Sequence, residues 1–315
     1  MFCTDDKHAT EIRSEGHINY NVARAIALGV SPVEAIKMGT LNAARHFRLE
    51  DEIGSIAPGR KADILLVPDL TEMRPSRVYF DGRLVAEQGA LLEPCQAADY
   101  PEWILHTVHL KRPITPASFR KETGAAGDRV RVNVIDLIDR QIINRRLVTE
   151  LPCANGEILP DISRDIAKLA VVERYGKTGG VGIGFARGFG LKKGALAYST
   201  SHDHHNIVTV GADDADMALA VNTVVEMQGG LAVVCGGEVL AKMCLPIGGL
   251  MSTKPAEEVM AEQDAMNEAA RQLGCVGSAP FMTLSFISLP TVPELGLTDL
   301  GLIDVLEHKL IPLEC

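Results

Sequence analysis

Aromatic side chains, cysteine pairs, long apolar runs and an excess of basic residues are all missing or scarce in this chain of 315 residues. Aromatics make up 4% of the sequence, so its cores must be filled mainly by aliphatic side chains and methionine. The net charge of −10 argues against a nucleic-acid backbone or an anionic membrane as the main partner. No uncharged apolar run reaches the roughly 18 residues of a membrane span.

The first residues of the chain and its cysteines indicate the cellular compartment. The first residues show no basic segment followed by an apolar core, so no secretory signal is indicated. The seven cysteines are odd in number and form no C-x-x-C pair, which fits a reducing compartment. Since 46% of the residues are hydrophobic, packed cores are expected. We therefore predict a cytoplasmic globular protein that acts on a small molecule.

The first 50 residues are dominated by helical patterns. Apolar residues four apart run from Ile18 to Ile26, and Gly29 supplies a stop signal. Ser31 is a suitable N-cap for the next helix, and Pro32 occupies its first position. Two helices are predicted here.

From residue 53 the pattern changes from helix to strand. Residues 62–67 are apolar except for Asp63, as expected for a buried strand. Asp81-Gly82 separates two short strands and is the strongest short hairpin signal. Residues 53–92 are therefore predicted to form a small β unit.

A polar segment rich in Pro, Thr, Gly and Lys predicts a linker over residues 113–129. An α+β domain is expected after it, with a second hairpin around Gly236-Gly237. The glycines of residues 180–184 could suggest a phosphate loop, but the Walker Lys-Ser/Thr pair is missing. They are interpreted as flexible backbone between strands. Strands are predicted at 130–138, 141–147, 169–172 and 195–198, and helices at 214–228 and 257–273.

Two adjacent acids, Asp5 and Asp6, follow a short apolar stub at residues 2–4. A carboxylate at the C-terminal end of a barrel strand can bind a divalent metal and accept a proton from metal-bound water. Adjacent acids before a helix are more often an N-cap pair. The local pattern alone leaves both interpretations open.

Two groups of segments carry distinctive residue patterns. The first group resembles the last barrel strand, the following loop and the returning β-sandwich of metal-dependent amidohydrolases. The second resembles the C-terminal domain that distinguishes adenine deaminases. The first group comprises residues 2–8, 15–18, 40–44 and 54–64, and the second residues 172–176, 184–190, 201–206, 282–286 and 297–299.

The resemblance implies a role for Asp5 and shows that the family's other metal ligands are missing from the sequence before it. By this resemblance Asp5 is the metal-binding aspartate of the eighth barrel strand, which also moves a proton, and its neighbour Asp6 is a second catalytic candidate. The family takes its other metal ligands from a His-x-His pair, a carboxylate or lysine, and two further histidines on earlier strands. None of these precedes Asp5. A single aspartate cannot hold a catalytic metal, which needs about three protein ligands.

The cluster of His202, Asp203, His204 and His205 is the other metal-like group. It could be a loop that contributes substrate or metal contacts, an independent site, or a polar loop between two strands. With the resemblance, we favour a loop in the active site, with His202, Asp203 and His205 binding the substrate. Tyr175 and His204 depart from the family pattern, in which histidine and a small polar residue are expected.

The expected fold class is α/β plus α+β. Residues 1–50 would be the C-terminal end of an amidohydrolase (β/α)₈ barrel, which includes its last βα unit. Residues 51–112 would form a β-sandwich portion and a connecting segment. Residues 113–129 would be the linker, and residues 130–315 an adenine-deaminase-type C-terminal α+β domain.

The resemblance implies hydrolysis of adenine to hypoxanthine and ammonia by a metal-activated hydroxide. It suggests Mn²⁺ or Fe²⁺, and this chain would be a fragment that lacks the His-x-His half of the site. The expected partner is adenine, with no nucleic acid and no membrane. An incomplete barrel should expose apolar strand edges, so we predict a homo-oligomer, aggregation, or complementation by the missing barrel half. The alternatives are a non-catalytic remnant or ligand-binding module, and a piece of a cyclic-amide amidohydrolase.

Overall fold

The computed structural model describes residues 1–93, 98–139, 141–277 and 279–315. The chain forms two compact units, Met1–Asp99 and Tyr100–Cys315. In the described parts, no helix is both long enough and apolar enough to cross a membrane.

The first unit begins with four short helices around a small core of Val22, Ala35 and Met73. The Ser31 hydroxyl accepts a hydrogen bond from the Glu34 backbone N–H, which confirms the predicted N-cap. Residues 2–4 form no strand, and the Phe2 backbone N–H donates to the Met38 carbonyl oxygen at 2.9 Å. The helices are α1 (Ala9–Glu15), α2 (Ile18–Ala27), α3 (Pro32–Gly39) and α4 (Leu41–His46).

An antiparallel sheet with strand order β1-β2-β3-β4 completes the first unit. Asp81 and Gly82 both have positive φ, at 49° and 77°, as the predicted hairpin requires. A strand does form within residues 62–67, but the prediction that it is buried was wrong: Leu65 is 53% exposed. The strands are β1 (Ile64–Leu66), β2 (Arg77–Phe80), β3 (Arg83–Glu87) and β4 (Ala90–Leu91).

A nine-stranded sheet organises the second unit, with strand order β13-β12-β10-β11-β8-β9-β5-β6-β7. Its neighbouring strands are antiparallel except for β5 and β9, which are parallel. All three sheets in the described parts have open strand orders, so none closes into a barrel there. The strands of the large sheet are β5 (Arg129–Leu137), β6 (Asn144–Ala154), β7 (Glu157–Ile158), β8 (Ile166–Val172), β9 (Val181–Arg187), β10 (Ala195–Tyr198), β11 (Ile207–Gly211), β12 (Gly230–Cys235) and β13 (Glu238–Cys244).

The large sheet is buried on both faces. Because side chains alternate along a strand, Leu169 and Val171 of β8 join one core cluster, whereas Ala170 and Val172 join the other. One face is covered by α6, and the other by α7, α8 and a small sheet, β14-β15-β16. The remaining elements are α5 (Glu102–Leu105), α6 (Asp214–Glu226), α7 (Ala256–Gln272), α8 (Pro280–Phe286), β14 (Leu295–Thr298), β15 (Gly301–Asp304) and β16 (Lys309–Ile311).

The interpretation of residues 180–184 as flexible backbone was wrong. They enter β9, which pairs with β8 along its length, from Ile166↔Arg187 to Val172↔Val181. A Cβ atom on Gly182 would lie 1.8 Å from the Thr298 carbonyl oxygen. Glycine is therefore needed here for the close approach of another backbone segment.

Candidate functional site

The two predicted groups of site residues lie in different units. Asp5 and Asp6 are exposed residues of the first unit, before α1. Asp5 has a φ of 53°, in the left-handed region that residues other than glycine rarely adopt. The neighbouring backbone is held by Thr4, whose hydroxyl lies 2.9 Å from Nε2 of His17.

No metal centre forms within the described residues, since no three His, Cys, Asp or Glu side chains come together there as metal ligands. Asp5 and the histidines of residues 202–205 therefore build no complete metal site in the described parts. A catalytic metal needs about three protein ligands.

In the second unit, His202, Asp203 and His205 lie on the loop between β10 and β11. The loop is closed by two hydrogen bonds: the Ser201 hydroxyl donates to the Asn206 carbonyl at 2.6 Å, and the His205 N–H donates to the Ser201 carbonyl at 2.7 Å. The prediction of a polar loop between two strands is thus confirmed. The substrate-binding role of His202, Asp203 and His205 stays a prediction.

The His202 ring packs against Phe286 of α8, with ring centroids 4.6 Å apart. The backbone N–H of His202 donates to the Ser285 carbonyl at 3.1 Å. The rings of His202 and His205 are 6.3 Å apart. The loop therefore brings two of the predicted substrate contacts to one place, beside an aromatic side chain that the sequence did not single out for this role.

His204 supports the loop from inside. Its Nδ1 accepts a hydrogen bond from the Asn206 backbone N–H at 3.0 Å, which assigns the proton of the neutral ring to Nε2. Burial lowers the pKa of His204. Burial, followed by the charges of Arg174 and His202, lowers the pKa of His205. Both shifts favour the neutral imidazole.

A second loop, residues 173–180, packs against the first. The Tyr175 hydroxyl donates to the His204 carbonyl at 2.7 Å, and the Arg174 backbone N–H donates to Oδ1 of Asn206 at 3.3 Å. The Glu173 carboxylate accepts hydrogen bonds from four backbone N–H groups of its own loop. Sequence reasoning had not identified Arg174 or Glu173 as site residues, although both lie in a segment of family resemblance.

Comparison with known proteins matches both parts of the chain. Residues 141–309 match the adenine deaminase C-terminal domain, and residues 1–85 match the amidohydrolase family. An adenine deaminase from Desulforamulus reducens is 54% identical over 312 residues, which are 99% of this chain and 53% of the relative.

Adenine deaminases from Moorella thermoacetica and Clostridium botulinum are 45% and 40% identical, each over 313 residues. These alignments cover 99% of this chain and 52% of each relative. The chain thus spans about half the length of the curated relatives it matches. With its C-terminal domain matched over residues 141–309 and relatives aligned along nearly its whole length, the chain belongs to the adenine deaminase family.

Proposed function

We propose that this chain is part of an adenine deaminase, which hydrolyses adenine to hypoxanthine and ammonia. The observation that carries the proposal is the 54% identity to the D. reducens adenine deaminase along 99% of the chain. The chain covers 53% of that relative, so the remaining part of the active site would come from the rest of the enzyme.

In this proposal the loop of residues 202–205 contacts the purine. A neutral imidazole has one donor and one acceptor nitrogen, and can therefore match the donor and acceptor groups at the edge of adenine. The lowered pKa of His205 favours that neutral form. His202, packed on Phe286, offers a ring surface, and the exposed Asp203 offers an acceptor for an exocyclic amine.

A divalent metal is implied by the amidohydrolase family, and we propose Mn²⁺ or Fe²⁺ at Asp5. The described residues do not fit a complete metal site, because no group of three ligands forms among them. A metal bound at Asp5 would take its other ligands from outside this chain. We propose that Asp5 moves a proton in the reaction and that Asp6 assists it.

We propose that residues 1–50 belong to the end of a (β/α)₈ barrel and residues 51–112 to a β-sandwich, with 113–129 and 130–315 as linker and C-terminal domain. Two leucines of β1 are exposed, Leu65 by 53% and Leu66 by 42%. Their exposure supports the proposal that this strand packs against further parts of the enzyme. Burying such surface is favourable, so the isolated chain should self-associate or bind a complementing half.

One observation favours the adenine deaminase proposal over a cyclic-amide amidohydrolase, and one experiment separates it from a non-catalytic remnant. A piece of a cyclic-amide amidohydrolase would not account for the match of residues 141–309 to the adenine deaminase C-terminal domain. A non-catalytic remnant would not restore adenine turnover when it is combined with the rest of the enzyme, so activity separates it from this proposal.

The proposal is tested by Asp5→Asn in an enzyme completed with the part of the D. reducens relative that this chain does not match. We expect a loss of adenine turnover of at least about a hundredfold, in the range typical of lost acid–base groups. Asp51→Asn, at another exposed aspartate of the first unit, is the matched control and should retain activity. Equal activity of both variants would refute the role of Asp5.

A further inference from the structure

Arg174 is a buried cation without a carboxylate partner among the described residues. Its side chain is 2% exposed, and its Nη2 donates a 3.0 Å hydrogen bond to the Gly248 carbonyl. Its Nε and Nη1 are also buried, and neither meets an acceptor in the described parts of the chain. Burying a charged group is costly unless it is paired and hydrogen-bonded.

The acids near Arg174 are engaged elsewhere or face solvent. The Glu173 carboxylate is satisfied by the backbone N–H groups of its own loop. Asp299 accepts a hydrogen bond of 3.1 Å from Nδ2 of Asn206. Asp203 is exposed. None of these three carboxylates forms an ion pair with the guanidinium.

Other buried polar atoms on the neighbouring loop also have no partner. Thr200 Oγ1 and His205 Nδ1 are both buried and unpaired in the described residues. The loop is joined to Arg174 directly, because the Arg174 backbone N–H donates to Oδ1 of Asn206. Buried polar atoms are nearly always satisfied, so unpaired ones on Arg174 and on the loop hydrogen-bonded to it indicate a bound polar group.

The glycines around Arg174 make room for the guanidinium. A Cβ atom on Gly249 would lie 1.8 Å from Nη1, so no other residue could stand there without displacing the arginine. The Ser199 hydroxyl donates to the Gly249 carbonyl at 2.6 Å and fixes this backbone. The guanidinium is thus held against a fixed backbone segment at Gly248-Gly249.

We propose that Arg174 anchors a binding site for a compact oxyanion, a phosphate or carboxylate group, between the 200–206 loop and Gly248-Gly249. Arginine N–H groups match both oxyanions in charge and geometry. Thr200 and His205 would add hydrogen bonds from the loop. This site shares His205 with the proposed purine contacts, but its ligand would not be adenine, because adenine carries no negative charge.

The test uses the purified 315-residue chain, titrated calorimetrically with inorganic phosphate and, separately, with acetate at constant ionic strength. We expect saturable binding with one site per chain. Binding of phosphate alone would identify a phosphorylated ligand class, acetate alone a carboxylate, and both a general oxyanion site. No binding of either anion would overturn the proposal.

Arg174→Gln should weaken anion binding by roughly tenfold to a hundredfold, as expected for lost hydrogen bonds to a charged group. Arg174→Lys keeps the charge and should bind with intermediate affinity, which provides a second variant if the glutamine protein does not fold. Arg112→Gln makes the same charge change at an exposed residue and is the control. Equal weakening by Arg112→Gln and Arg174→Gln would refute a specific site.

Asp203→Asn distinguishes an external anion from an internal one. Removing the negative charge of this loop residue should strengthen anion binding modestly if the natural ligand is external. If the wild-type chain binds neither anion and Asp203→Asn binds both, then Asp203 itself is the counter-charge of Arg174, and the proposed site does not exist.

Discussion

The hydroxyl of Tyr175 donates a 2.7 Å hydrogen bond to the backbone carbonyl of His204. Both residues were predicted from the sequence to depart from the family pattern. The bond joins the 173–180 loop to the loop that carries the proposed substrate contacts. The two departures therefore meet at one contact.

Tyr175→Phe should loosen the 202–205 loop with little effect on global stability. Because Tyr175 is 40% exposed, the lost hydrogen bond should cost no more than about 1 kcal/mol. Hydrogen–deuterium exchange of the 202–206 amides should become faster, while exchange in β11 stays unchanged. Tyr100→Phe, at an equally exposed tyrosine, is the control. Unchanged exchange at 202–206 would show that the bond does not hold the loop.

Glu173→Gln should destabilise the second unit by roughly 1.5–3 kcal/mol, because a buried charged acceptor of several backbone N–H groups is lost. Burial acts to raise the pKa of Glu173, but the N–H donors of Gly179, Tyr175, Lys177 and Thr178 outweigh it and lower the pKa overall. The carboxylate is 5% exposed, so little of this effect is screened by solvent.

The sign of the pH dependence follows from that lowered pKa. A carboxyl group with a lower pKa in the folded state stabilises the protein above its unfolded pKa of about 4.3 and loses this effect as the pH falls. The stability difference between wild type and Glu173→Gln, measured by urea denaturation, should therefore shrink below about pH 4. A difference that stays constant from pH 7 to pH 3 would contradict the assignment.

Gly182→Ala should destabilise the chain by at least roughly 1–3 kcal/mol, because the added methyl group would overlap the Thr298 carbonyl. Gly184→Ala is a close control on the same strand face, since its Cβ would lie 3.4 Å from the flexible Leu297 side chain. Thermal unfolding of both variants measures the difference. Equal melting temperatures would mean that the small sheet does not pack against β9 as described.

Lys168 is 1% exposed, and its Nζ lies 2.9 Å from Glu157 and 2.6 Å from Asp214. Lys168→Met should cost roughly 3–5 kcal/mol, because it leaves two half-buried carboxylates without their cation. The exposed Lys242→Met should change stability by less than about 0.5 kcal/mol. The urea midpoints of the two variants measure this difference in stability. A small effect at Lys168 would show that the two acids are well solvated.

Features encoded by local chemistry could be predicted from the sequence. The Ser31 N-cap and the Asp81-Gly82 hairpin depend on a few adjacent residues, and both are confirmed. The hairpin around Gly236-Gly237 is confirmed for the same reason, with β12 and β13 on either side. These signals need no knowledge of the rest of the fold.

Features that depend on distant partners could not be predicted. Gly182 lies in a strand, and glycine is required there because the backbone of Thr298, more than 100 residues later, passes close to it. The apolar run containing Leu65 predicts burial, but burial depends on what packs against it. In the candidate site, the loop that carries His202 and His205 between two strands could be predicted, whereas the contact of Tyr175 with His204 spans 29 residues and leaves no local signal.

We propose that this chain forms an adenine deaminase only together with the part of the enzyme that it does not contain. The most direct test measures ammonia release from adenine with added Mn²⁺, first with the purified chain and then after mixing it with the unmatched part of the D. reducens relative. We expect release in the mixture and none from either part alone. Release by the chain alone would contradict this proposal, and so would the absence of release from a mixture that forms a stable complex.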